Sequence, residues 1–346
     1  MMERETDWPI IGHRAAVDQL RRSIERGQVG HAYLFVGPEG VGRRTVARTF
    51  AQALVCQSQV GSRPCGVCSA CRRAARGIHP DIMTISLEQQ AAEETRDSKN
   101  TRISIETIRE LRSNLSLRPL EADWRVAILE DVDLFSFSAY DALLKTLEEP
   151  PPFVVLLLIA TELDSIPETI RSRCRPIQLE PLSRADVAAA LVERGIDPAL
   201  ATMVAGITRG RIGRAIELSS DEAALSARHA TVESGIEMVE NPVVAIGSVR
   251  RMADGYRRGQ RARVEGELDA LLGIWRDLLL VAAGCSDQIV NVDFADRLGR
   301  LARQWNLDRI NAGVLATHQA LSDLSINVQP RLALDRMVTQ WPRPTR

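Results

Sequence analysis

Four short runs of the chain are almost wholly apolar: "HAYLFVG" (31–37), "DIMTIS" (81–86), "RVAILED" (125–131) and "VVLLLIAT" (154–161). They show little of the alternation of a one-sided strand, so they predict strands covered on both faces, as in a parallel sheet layered by helices. Between them the period changes. "VARTFAQALVC" (46–56) puts Val46, Phe50, Ala53 and Leu54 at helical spacing. "ISIETIRELRSNLSL" (103–117) and "SAYDALLKTLEE" (138–149) predict two more helices, the second stopped by Pro150, Pro151 and Pro152. The stretch "EQQAAEETRDSKNTR" (88–102) is polar and uncapped and predicts a solvated loop.

After "RPIQLEPLS" (175–183) the pattern is almost wholly helical. "RADVAAALVERG" (184–195) opens a small helical unit that ends near "GRAIELSS" (213–220), and from about residue 226 the helices lengthen. One apolar stripe runs through Val264, Leu268, Leu271, Trp275, Leu278 and Ala282, another through Ile310, Val314, Thr317, Leu321 and Leu324. Bundle core is the first reading of such stripes and an assembly surface the second. The expected architecture is an α/β domain followed by helical domains, with no internal repeat.

Composition narrows this a little. A chain of 346 residues with 45% hydrophobic content has room for two or three domains with real cores. A net charge of −1 gives no whole-chain argument for binding nucleic acid or a membrane surface. The only lysines are Lys99 and Lys145, so positive charge is almost all arginine. "MMERETDWPI" lacks the apolar core of a signal peptide and no apolar run reaches membrane-spanning length, which predicts a cytoplasmic protein.

"GPEGVGRRT" (37–45) sits between a predicted strand and a predicted helix, the setting of a phosphate-binding loop. Gly37 and Gly42 keep the spacing of G-x-x-x-x-G-K-[ST], and Gly40 lies between them. The lysine position holds Arg43, the hydroxyl position holds Arg44, and Thr45 comes one residue late. Arg43 keeps a charge but not the compact ammonium. Arg44 removes the hydroxyl that would ligate Mg²⁺. Retention of the glycines for the fold alone is the stronger reading, with nucleotide binding left open.

Four of the six cysteines fall at C-x₈-C-x₂-C-x₂-C spacing: Cys56, Cys65, Cys68 and Cys71. In a reducing compartment that set suits structural Zn²⁺, with no position left for a catalytic water. An iron–sulfur cluster or a redox dithiol is the weaker alternative. Cys174 and Cys285 are isolated and read as ordinary thiols.

Taken in order, "HAYLFVGPEGVGRRT", the cysteine insert, "GIHPDI" (77–82), "DALLKTLEEPP" (141–151) and "IPETIRSRC" (166–174) resemble the clamp-loader branch of the AAA+ ATPases. The resemblance implies an AAA+ (RecA-like) domain over 1–182 carrying a zinc module at 56–71. A helical lid over 183–225 and a helical collar for oligomerisation over 226–346 would follow. Active members end their Walker B strand in Asp-Glu, whereas here Glu130-Asp131 exchanges the two lengths. The lid arginine of active members falls on Gly213, with Arg214 displaced by one residue, about 100° around a helix. Both departures resemble the delta-prime branch and imply a subunit without ATPase activity of its own. The sensor position at the end of the fourth strand holds Thr161. "SRC" (172–174) is intact, which implies Arg173 as an arginine finger reaching a neighbouring subunit. Implied partners are tau/gamma and delta subunits, with the sliding clamp and primed DNA reached through the complex and no membrane. Two rival readings remain: a self-sufficient tau/gamma-type ATPase, and a zinc-dependent nucleic-acid-binding module using Arg72, Arg73 and Arg76.

Overall fold

The computed structural model describes residues 8–93, 102–326 and 328–343. Contacts divide the chain into two units, one of residues 1–186 with 211–214 and the other of residues 187–210 with 215–346.

In the first unit the order is α1 (Arg14–Glu25), β1 (Ala32–Val36), α2 (Arg43–Leu54), α3 (Ser69–Ala75), β2 (Ile82–Ile85), α4 (Leu87–Glu93) and α5 (Ile105–Leu115). It continues with β3 (Arg125–Leu129), α6 (Phe137–Glu148), β4 (Val154–Ala160), α7 (Glu168–Arg171) and β5 (Arg175–Gln178). Among the described residues the strands form one sheet, ordered β2-β3-β4-β1-β5 and parallel throughout. Both faces are covered, which is why the strands read as unbroken apolar runs. Tyr33, Phe35, Val126, Ile128, Val155 and Leu157 pack with the α1 and α2 side chains, while Leu34, Val36, Ala127, Leu129, Leu156 and Leu158 pack with α5 and α6. This is an α/β layering, a parallel sheet with helices on both faces.

Three expectations needed correction. β5 occupies residues read only as a domain boundary; with Pro176 and three of its four residues exposed, it carries the weak signal of an edge strand. The polar stretch from 88 begins as helix α4, because Gln90 is buried: its amide bonds Arg102 O, Ser104 N and Thr107 Oγ1. Residues 94–101 of that stretch, with Lys99, lie outside the described residues, as do residues 1–7. At the end of the first long stripe, Ala282 is exposed.

From residue 184 the order is α8 (Arg184–Glu193), α9 (Pro198–Thr208), α10 (Ile212–Ser219), α11 (Glu222–Glu240), α12 (Pro242–Arg257) and α13 (Arg261–Ala282), all in the second unit except residues 184–186 and 212–214. The chain ends with α14 (Ala295–Ala302), α15 (Leu307–Ser325) and α16 (Pro330–Gln340). Trp275 is fully buried, with Trp305 and Trp341 rings 5.8 and 5.5 Å away. A Cβ on Gly313 would lie 2.5 Å from the Trp275 ring, so α15 can approach α13 here only without a side chain. The remaining stripe positions face this core, Val314 and Leu321 only partly buried. No described helix is long and apolar enough to cross a membrane.

Candidate functional site

The glycine loop runs from the carboxyl end of β1 into α2, with β1 flanked by β4 and β5. Crevices of this kind, at strand ends where the sheet order reverses, are where open α/β sheets bind ligands. Gly37 is held there by backbone: a Cβ would stand 2.2 Å from Leu179 O. Gly40 and Gly42 have φ of 76° and 114°, values that favour glycine. His13 Nε2 lies 2.9 Å from Val41 O, and since a carbonyl only accepts, Nε2 carries the proton. Burial lowers the His13 pKa, against the opposing effect of that hydrogen bond. Nothing in the motif pointed to His13.

The structure brings Arg44, Glu130 and Asp131 together. Arg44 Nε lies 3.0 Å from Glu130 Oε2, and its Nη2 lies 3.1 Å from Asp131 Oδ1. Arg48, one turn further along α2, holds Glu130 Oε1 at 3.0 Å. Asp131 adopts a left-handed φ of 55°, two residues past the end of β3. The Glu130 side chain is 4% exposed, whereas Arg44 and Arg48 are 55% and 61% exposed, so the carboxylate is buried while its partners meet water. These residues do not fit an Mg²⁺ site: the guanidinium of Arg44 sits on both carboxylates that would face the metal. Arg48 was missed because no motif position names it; its i,i+4 relation to Arg44 was the available signal.

The other predicted positions do not join this cluster. Arg43 is half-buried, and burial lowers its pKa against the pull of Asp133. Thr45 is exposed, and its hydroxyl makes no hydrogen bond among the described residues. Thr161 turns to Asp133, donating its N–H at 3.2 Å and its hydroxyl to the same Oδ2. The N–H of Gly213 donates to Gly40 O at 2.7 Å, and a Cβ on Gly213 would stand 3.0 Å from that oxygen. An arginine in that place would press on the loop.

Arg173 follows α7 and is partly exposed. Its Nη2 reaches Glu148 Oε1 at 2.8 Å and its Nη1 donates to Thr169 O at 2.9 Å. Beside it, burial pushes the Cys174 thiol up to about 12, leaving it unreactive.

The four cysteines converge at the far end of α2. Their sulfurs all lie within 4.8 Å of one another. Tetrahedral Zn²⁺ with bonds of about 2.3 Å sets its sulfurs about 3.8 Å apart, so the cluster fits the ion after a small contraction. Backbone N–H groups of Cys65, Cys68 and Cys71 donate to the sulfurs of Cys56, Cys65 and Cys68 at 3.4, 3.3 and 3.3 Å. Burial opposes ionisation of Cys65, but hydrogen bonds from Ser58, Cys68 and Val67 hold its pKa at about 6. Burial raises that of Cys71. The thiolate is the form that ligates a metal, so an ion bound here would release the remaining thiol protons. Nearby, Arg73 pairs with Glu121, while Arg72 and Arg76 are exposed.

Residues 12–183, about half of the chain, match the family model described as DNA polymerase III, delta subunit. The DNA polymerase III subunit gamma of Buchnera aphidicola subsp. Schizaphis graminum is 34% identical over 178 residues, 51% of this chain and 46% of that protein. The chain thus spans less than half the length of that relative. DNA polymerase III subunit delta' of Bacillus subtilis is 26% identical over 319 residues, 92% of this chain and 93% of that one. Among solved structures, a gamma subunit-related protein of Thermotoga maritima aligns at a TM-score of 0.42 and 15% identity, covering 94% of this chain and 97% of that one. One match spans the loop and both carboxylates, and another runs nearly end to end; the chain belongs to the family of DNA polymerase III clamp-loader subunits.

Proposed function

We propose that the chain is a delta-prime-type clamp-loader subunit that hydrolyses no ATP itself and assists hydrolysis in a neighbour. The observation that carries this reading is the grip of Arg44 on Glu130 and Asp131. Phosphoryl transfer needs such carboxylates to hold metal and to orient the nucleophile. Here they are committed to a guanidinium, and the lid position is a glycine packed on the loop. The alignment with the Bacillus subtilis delta' subunit over 92% of the chain supports the same branch.

On this reading Arg173 works in trans. In its own chain it pairs with Glu148 and Thr169, not with Glu130 or Asp131. Presented across an interface, its planar fork would stabilise charge on the phosphoryl group being transferred. Zn²⁺ held by Cys56, Cys65, Cys68 and Cys71 would be structural, closing the insert between α2 and α3. The AAA+ domain would occupy 1–182, the lid 183–225 and the oligomerising collar 226–346. The complex would be cytoplasmic and would contain tau/gamma and delta subunits, opening the sliding clamp and placing it on primed DNA.

A tau/gamma-type ATPase is the second reading, favoured by the 34% identity to the Buchnera gamma subunit across the first half of the chain. Reconstitution separates the two. The isolated chain should show background ATPase, and adding it to tau/gamma and delta should raise DNA-stimulated hydrolysis. Sustained hydrolysis with Mg²⁺ by the isolated chain, lost in Asp131→Asn, would establish the second reading instead.

A further inference from the structure

Glu130 and Asp131 are the only carboxylates of the Walker B segment "VAILED", and one side chain straddles them both. Resting on the reading of residues 37–45 and 130–131 as a degenerate nucleotide site, we propose that Arg44 is a built-in cation. Its guanidinium, braced by Arg48, occupies the divalent-metal position and keeps Mg²⁺ out. The loss of the loop hydroxyl is then more than a missing ligand: the residue replacing it takes the seat of the ion.

Three observations separate this from an incidental surface ion pair, which would carry little weight. Glu130 is 4% exposed, with Oε2 held by Arg44 and Oε1 by Arg48 at 3.0 Å each. Arg44 divides its fork between two different carboxylates, which an ammonium could not do over the same span. Arg44 and Arg48 both belong to α2, which is fixed in place by seven buried residues, Val46 and Phe50 among them. The cluster therefore balances two negative with two positive charges.

A hydrated Mg²⁺ would have to displace an intramolecular competitor present at an effective concentration on the order of millimolar or above. Mg²⁺ sites in phosphate-binding proteins use only one or two carboxylates, keep several waters and lean on substrate phosphates. They have little affinity in reserve for such a displacement. Removing Arg44 has the opposite consequence. It leaves the shielded Glu130 with Arg48 alone and Asp131 unpaired, which favours a divalent cation.

The test is Mn²⁺ titration of the 346-residue, zinc-loaded chain followed by electron paramagnetic resonance, on wild type, Glu130→Gln, Arg44→Thr, Arg44→Lys and the pair Arg44→Thr/Glu130→Gln. Wild type should bind no Mn²⁺ at this site. Arg44→Thr should gain one site at least about tenfold tighter than any in wild type, and its melting temperature should rise with added Mn²⁺ where that of wild type does not. Glu130→Gln in that background should abolish the gain. Arg44→Lys, which preserves charge and fold but cannot bridge both carboxylates, should gain weaker binding, and it serves if Arg44→Thr proves insoluble. Wild-type Mn²⁺ binding that disappears in Glu130→Gln overturns the proposal. So does a folded, zinc-containing Arg44 variant, Thr or Lys, that gains no Mn²⁺ site. That last result, with wild-type ATPase still at background, would leave the degenerate-site reading standing; ATPase lost in Asp131→Asn would remove the reading itself.

Discussion

Helix α2 has a glycine loop at its amino end and a four-cysteine cluster at its carboxyl end, and the two differ in what has been kept. At its carboxyl end Cys56 begins a complete set of four converging thiols. At its amino end the glycines remain while the residues that would touch phosphate and metal are replaced. The difference follows from what each part does for the fold. A tetrahedral metal site is all or nothing, since three thiols leave an open position and an unstable knuckle. A glycine loop has a second, purely structural task. Gly37 lets β1 pass the backbone of Leu179, a contact that no side chain permits. The glycines would therefore persist after the chemistry is gone.

The largest effects are expected at the cysteine end. Replacing Cys71 with Ser, or stripping the metal with a chelator, should cost on the order of 5 kcal/mol or more and unfold the insert. Elemental analysis of reduced wild-type protein should find one Zn per chain; protein with no bound metal but the same melting temperature would refute the assignment. Next comes Gly37→Ala, where the added methyl meets a backbone carbonyl that cannot step aside. A loss of about 3 kcal/mol in denaturant unfolding is expected, with no change in an ATPase already at background. Thr161→Val removes one of the two donors to Asp133 and should cost about 1 kcal/mol. If Thr161 instead senses a bound nucleotide, the variant will change ATP affinity more than stability. The smallest effect is expected at Thr45. Thr45→Ala should leave stability within about 0.5 kcal/mol and alter no ligand binding, because the hydroxyl faces solvent. A larger loss would show that the loop still uses it.

The sheet was legible because strands covered on both faces must be apolar, and β1, β4 and all of β3 after Arg125 are. β5 was not, since an edge strand with three exposed positions has no such signature. Spacing alone gave the cysteine cluster, as a metal knuckle is a local structure. The glycine loop was legible as a shape, and its substitutions as departures from a working one. What replaced the working parts was hidden. The pairing of Arg44 with Glu130 and Asp131 joins residues more than eighty positions apart and depends on α2 lying beside β3. Arg48, Asp133, His13 and Glu148 are ordinary polar residues until the fold supplies their partners. Gln90 shows the same limit in a segment whose polarity suggested solvent.

On the proposed reading this chain acts on ATP in trans and not in cis, and the ATPase of a reconstituted complex compares the two directly. The complex should be assembled with wild type, with Asp131→Asn and with Arg173→Ala, each verified to incorporate. Asp131→Asn should leave DNA-stimulated hydrolysis unchanged. Arg173→Ala should remove the help given to one neighbouring site, where such fingers contribute about 10³–10⁵ in rate, and so lower total turnover by the share of that site. The reverse pattern, with hydrolysis falling in Asp131→Asn and untouched in Arg173→Ala, would contradict the account and make the glycine loop of this chain a working site.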